Sequence, residues 1–184
     1  MLLLEAINIT LRAIGESEVV SESTSNPTAG IVKSAITQHR RGLLATGWWF
    51  NTWEQEIIPT ADNRITPPAN ALALYGKSGE KFASRDGWLF NLIEQSNRFT
   101  EKTYIKAYID YEFQDLPEYA AQYIACRVAA ETYRNDIGVD SNFQSLISDS
   151  DEAYSLLFRE HARNQARSTR QSRRFKRVNS ARFV

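Results

Sequence analysis

Residues 104–113 alternate without a break: Ile105, Ala107, Ile109, Tyr111 and Phe113 fall on one side, and Lys106, Asp110 and Glu112 on the other. A period of two is that of a β-strand with one buried face. The segments at both ends of the chain carry a helical period instead, so the sequence demands a sheet set between helices. Trp53, Gln55 and Ile57 alternate with Glu54, Glu56 and Ile58 as far as Pro59. The turn-forming run Ala61-Asp62-Asn63 then leads toward Ile65, which predicts a hairpin. Residues 72–75, 82–85 and 88–91 read as further short strands, separated by residues 76–79 and by Asp86-Gly87. An antiparallel sheet is therefore expected over about residues 50–113.

Leu4, Ile7, Leu11 and Ile14 recur at three and four residues, and Gly15 follows as a left-handed stop would, predicting a helix over 3–14. Asn26-Pro27 is an N-cap followed by proline at the first helical position. It opens a helix over 27–46 whose apolar stripe is Ile31, Ala35, Ile36, His39 and Leu43, with Gly42 and Gly47 ending or loosening it before Trp48. A third helix is expected over 116–135, capped by Asp115, with Pro117 and Glu118 in its first turn. Ala120, Ala121, Ala125, Ala129 and Ala130 lie among Tyr119, Ile124, Val128 and Tyr133, so another helix can approach closely and this one is central. Gly138 closes it. Asp140 or Ser141 caps a fourth helix over 141–165, striped by Phe143, Leu146, Ile147, Ala153, Tyr154, Leu157 and Phe158. The resulting class is α+β: a helical bundle built from the N- and C-terminal helices, with an antiparallel sheet inserted between them.

A chain of 184 residues is expected to form one domain. The apolar start at residues 1–4 is interrupted by Glu5 with no basic flank, so neither a signal peptide nor a spanning helix is expected. The zero net charge conceals an asymmetry. Residues 1–158 hold 13 basic and 21 acidic side chains, whereas residues 159–184 hold 9 basic and one acidic. The chain thus divides into an acidic folded body, 1–158, and a basic extension, 159–184.

Few patterns suggest chemistry. Gly76-Lys77-Ser78 resembles the end of a phosphate-binding loop, but Ala71 stands where the first glycine belongs and Gly79 follows where a helix should begin. Cys126 is the only cysteine, and His39 and His161, the only histidines, lie on different predicted helices, so no metal or other cofactor is expected. No serine sits in a Gly-x-Ser-x-Gly elbow. Glu54 with Glu56, and Asp110 with Glu112, could serve a glycoside hydrolase, although alternate carboxylates are also what the wet face of a sheet looks like. The basic extension is the strongest signal. Arg167, Arg170, Arg173, Arg174, Phe175, Lys176 and Arg177 are the candidate partner-binding residues, since guanidinium groups fork onto carboxylates or phosphates and Phe175 can anchor in a pocket. Contact with an acidic protein surface or with nucleic acid would each use them.

Five blocks occur in order across residues 3–135: Glu5-Ala6-Ile7-Asn8; Leu11-Arg12-Ala13-Ile14-Gly15-Glu16; Gly47-Trp48-Trp49-Phe50-Asn51; Ile65-Thr66-Pro67-Pro68-Ala69-Asn70; and Phe113-Gln114-Asp115-Leu116-Pro117-Glu118. Together they resemble the tail tubular protein A family of podoviruses. The resemblance implies a non-enzymatic virion protein, a head-to-tail adaptor. It implies a ring of twelve subunits under the portal, with the tail nozzle (tail tubular protein B) on the other side and tail fibres docking nearby. DNA passes through the channel without sequence-specific binding, and no membrane is involved. Within that picture the sheet region and Trp88 suit the nozzle, and the basic extension suits a strap across the portal or a neighbouring adaptor subunit.

Overall fold

The computed structural model describes residues 1–22, 25–77 and 79–165. Its elements in chain order are α1 (Leu3–Ala13), α2 (Pro27–Leu44), β1 (Thr52–Ile57), β2 (Ala71–Tyr75), β3 (Phe82–Arg85), β4 (Trp88–Asn91), β5 (Thr103–Ile109), a 3-10 turn (Phe113–Asp115), α3 (Glu118–Asp136) and α4 (Ser141–Asn164). The fold is α+β, with N- and C-terminal helices flanking a central antiparallel sheet.

Helix α3 lies at the centre of the helical layer because its small side chains allow close approach. Ala120, Ala121 and Ala125 are completely buried, and α1, α2 and α4 all pack on α3. Ile7, Leu11, Val32, Ile36, Leu44, Ile124, Val128 and Leu157 fill the core around it. Helix starts follow their caps. The Asn26 side chain accepts from Ala29 N at 3.1 Å, with Pro27 behind it, and Asp140 accepts from Phe143 N at 2.9 Å.

The sheet has the order β1-β5-β2, with Thr52 opposite Tyr108 and Ile57 opposite Thr103, and a register shift between Ala71 and Ala73. Strands β3 and β4 form a hairpin through Asp86 (φ 51°) and Gly87 (φ 78°), the paired left-handed geometry of a two-residue turn. A second core lies beneath these strands: Ile65, Phe82, Leu89, Phe99 and Ile105, with Trp53, Ile57 and Leu74 packed on it.

Several expectations need correction, among them Ile31, which is 67% exposed and leaves Val32 and Ile36 to carry the buried face of α2. Strand β1 pairs with β5 and not with the segment near Ile65. Pro67 and Pro68 cannot donate ladder hydrogen bonds, so that segment runs as a loop. Ile65 is nonetheless buried, and its carbonyl accepts from Leu89 N at 2.8 Å. Strand β5 ends at Ile109 rather than at 113, because Asp110 turns to Arg40 and Arg41 of α2, and Phe113 enters the helical core. Asp115 does not cap α3. Proline at 117 holds Leu116 extended (ψ 145°), which parts the 3-10 turn from the helix and leaves Pro117 in the cap position. Finally, α2 stops at Leu44 rather than 46, where the Asn51 amide takes the Leu44 carbonyl at 2.8 Å.

Candidate assembly interface

The junction between the helices and the sheet is held by polar side chains. Asn51 is buried there. Its side-chain oxygen accepts from Trp48 N at 2.7 Å, and its amide donates to Leu44 O at 2.8 Å and Ile109 O at 3.0 Å. Ile109 N returns a bond to Asn51 O at 2.9 Å. One side chain therefore ties the end of α2, the Trp48 turn and the end of β5 together. Beside it, Gly47 adopts φ +83°, and the ring of Tyr108 occupies the space a β-carbon would take. Arg40, buried on α2, pairs with Asp110 at 3.4 Å and with Glu112, while Arg41 reaches Asp110 at 3.4 Å. The junction is a polar clamp: the Asn51 hydrogen bonds are fully made, whereas Arg40 Nε and Asp110 Oδ1 are buried without a hydrogen-bond partner, so the Arg40 side is held by charge pairing.

The four carboxylates weighed for hydrolysis are all used structurally. Asp110 and Glu112 belong to that clamp. Glu54 accepts from the Tyr104 hydroxyl at 2.6 Å and lies 3.1 Å from Lys106, and Glu56 lies 2.8 Å from Lys102. The Tyr104 bond first, then Lys106, holds the Glu54 carboxyl below its usual range, and Lys102 does the same for Glu56. A general acid for glycoside cleavage needs the opposite shift.

The histidines serve packing and pairing. His39 Nε2 lies 2.6 Å from Glu131 on α3. His161 Nδ1 accepts from Trp49 N at 3.2 Å, with its ring 5.0 Å from that of Trp48. Among the described residues no group of His, Cys, Asp or Glu could hold a metal ion, and no helix is long and apolar enough to cross a membrane.

The surface that stands out is aromatic. Trp48 meets Tyr154 edge-on at 6.2 Å, Tyr154 lies 5.2 Å from Tyr123, and Phe158 stacks on Tyr154 at 6.5 Å. Trp48, Tyr123 and Tyr154 line a groove of about 570 Å³ together with Gln38, His39, Gly42 and Leu43 of α2, and Phe158 lies beside it on Tyr154. Tyr154 and Phe158 are 42% and 55% exposed, two large rings side by side at the surface. The apolar period of α4 predicts both to be buried, but a ring can satisfy a helical period while standing at the surface. On the sheet side, the Arg64 guanidinium sits 5.2 Å from the centre of the half-buried Trp88 ring, and Arg85 sits 4.0 Å from that of Phe90. Arg167, Arg170, Arg173, Arg174, Phe175, Lys176 and Arg177 lie outside the described residues.

Residues 4–167 match the family described as tail tubular protein. The tail tubular protein A of Klebsiella phage KP34 is 46% identical over 182 residues, covering 98% of each chain. The chain belongs to the tail tubular protein family. As a tail tubular protein it is a structural component of the phage tail, located in the virion.

Proposed function

We propose that this tail tubular protein is the adaptor between portal and tail nozzle. Copies of it form a ring, of twelve subunits, around the channel through which DNA leaves, with tail fibres docking at its outer side. The observation that carries this reading is the nearly full-length relationship to a tail tubular protein A. Physical features support it. A ring needs two unlike faces on each subunit, and the helical layer and the sheet present different surfaces joined by the Asn51 clamp. The body, 1–158, carries eight more acidic than basic side chains, so DNA is not drawn to the channel wall.

In this reading the helical end faces the portal, and the sheet with Trp88 faces the nozzle. The basic extension, 159–184, reaches the portal with Arg167, Arg170, Arg173, Arg174, Phe175, Lys176 and Arg177 as its contact residues. Helix α4 runs to Asn164, so the extension begins on its last turns. The test is docking of portal by the chain shortened after Gln165. The expected result is a folded protein that binds portal at least about tenfold more weakly; unchanged affinity would remove the extension from the portal contact.

A second reading is favoured by one feature, the seven basic and no acidic side chains in residues 166–184. The same arginines could hold DNA phosphates. Such binding would weaken steeply between about 50 and 200 mM salt, and absence of binding at low salt would end it.

A further inference from the structure

The aromatic groove has a ready occupant. Its lining includes Gln38, His39, Gly42, Trp48, Tyr123 and Tyr154, so it lies between α2 and the Tyr123–Tyr154 pair of α3 and α4. We propose that this groove is the docking site for residues 166–184 of the same chain.

Three observations carry the proposal. The first is position. His161 touches both Trp48 and Trp49, with ring centres 5.0 and 6.0 Å apart, and the described chain ends one turn later at Gln165. Helix α4 therefore ends one turn past the Trp48 side of the groove, and a run of 19 residues spans up to about 60 Å when extended. The tether makes the local concentration of the segment millimolar, so even weak contacts are filled.

The second is charge. Residues 166–184 contain seven basic side chains and no acidic one. On α4, Asp149, Asp151 and Glu152 are exposed and, among the described residues, form no ion pair. Burial raises the pKa of the Tyr123 hydroxyl in the groove; Arg127 opposes this, and Tyr154 and Asp151 add to it, which places the Asp151 carboxylate within electrostatic reach of the lining.

The third is surface chemistry. Guanidinium groups stack on tyrosine and tryptophan faces, and the molecule already uses this contact twice, at Arg64 on Trp88 and at Arg85 beside Phe90. Phe175, Val178 and Phe183 supply the apolar side chains that the exposed faces of Tyr154 and Phe158 lack. The contact belongs to the isolated chain, so it stands or falls apart from the portal reading. Its consequence is that the segment is stored on its own body and must be displaced before it can reach a partner.

The test uses the full-length chain with Cys126→Ser and two added cysteines. Ser172→Cys is combined either with Gln38→Cys, exposed in the groove, or with Ile93→Cys, 64% exposed on the sheet side. Disulfide formation is followed on non-reducing gels. The expected result is an intramolecular bond for the Gln38 pair that forms at least about tenfold faster than for the Ile93 pair. Equal rates for the two pairs, or products that are disulfide-linked dimers alone, would overturn the proposal.

Discussion

The ring of Tyr108 on β5 closes over the backbone of Gly47, leaving no room for a β-carbon there. Gly47 also sits at φ +83°, so it meets two requirements with one missing side chain. Gly47→Ala incurs both left-handed strain and overpacking, together about 3 kcal/mol. The expected fall in Tm is roughly 6–12 °C for a domain of this size. Pairing the change with Tyr108→Ala relieves the clash but not the strain, so calorimetry on the double variant separates the two.

Asn51 makes three side-chain hydrogen bonds in a buried site, and Asn51→Leu leaves Trp48 N and the carbonyls of Leu44 and Ile109 without that partner. Unsatisfied buried groups cost about 1–3 kcal/mol each, so a loss of about 3–5 kcal/mol in urea unfolding is expected. A loss below about 1 kcal/mol would mean that the junction is not held by this residue.

Arg40 is buried against Asp110, itself only 16% exposed, and against Glu112, which is 72% exposed. Arg40→Ala strands the Asp110 charge near the sheet end, with Arg41 as its remaining partner. The expected cost is about 2–3 kcal/mol, below that of a fully buried pair because solvent and Arg41 compensate. Denaturant titration at neutral pH checks it.

Acid should loosen the fold in a definite direction. Hydrogen bonds from Phe143 N and then Tyr133 hold Asp140 below its ordinary value, and Tyr104 and Lys102 do the same for Glu54 and Glu56. A carboxylate with a lowered folded-state pKa contributes stability above its unfolded value and loses it as pH falls through the folded one. Stability measured from pH 6 downward should begin to fall near the ordinary carboxylate range and continue below it. Asp140→Asn, which keeps the capping oxygen, should flatten part of that fall.

The elements were legible in the sequence where a local signal decides. Asn26-Pro27, Asp140 and the turn Asp86-Gly87 mark boundaries by backbone chemistry alone, and all act as expected. Partners were not legible. The alternation at residues 53–57 states that a strand exists, but whether it pairs with residues near 65 or with β5 depends on a contact some 50 residues away. The same limit hid the Asn51 clamp: an asparagine after Trp-Trp-Phe looks like any turn residue until the end of β5 arrives beside it. The aromatic groove was hidden differently, since Tyr154 and Phe158 satisfy a helical stripe whether a neighbour covers them or not.

The central claim, a ring-forming adaptor on the portal, is tested most directly by the mass of the complex formed with the portal ring of its own phage, measured by light scattering. The expected result is one discrete species in which twelve copies of this chain sit on one portal ring. A portal ring eluting at its own mass, with the chain remaining monomeric beside it across the concentration range, would contradict the account.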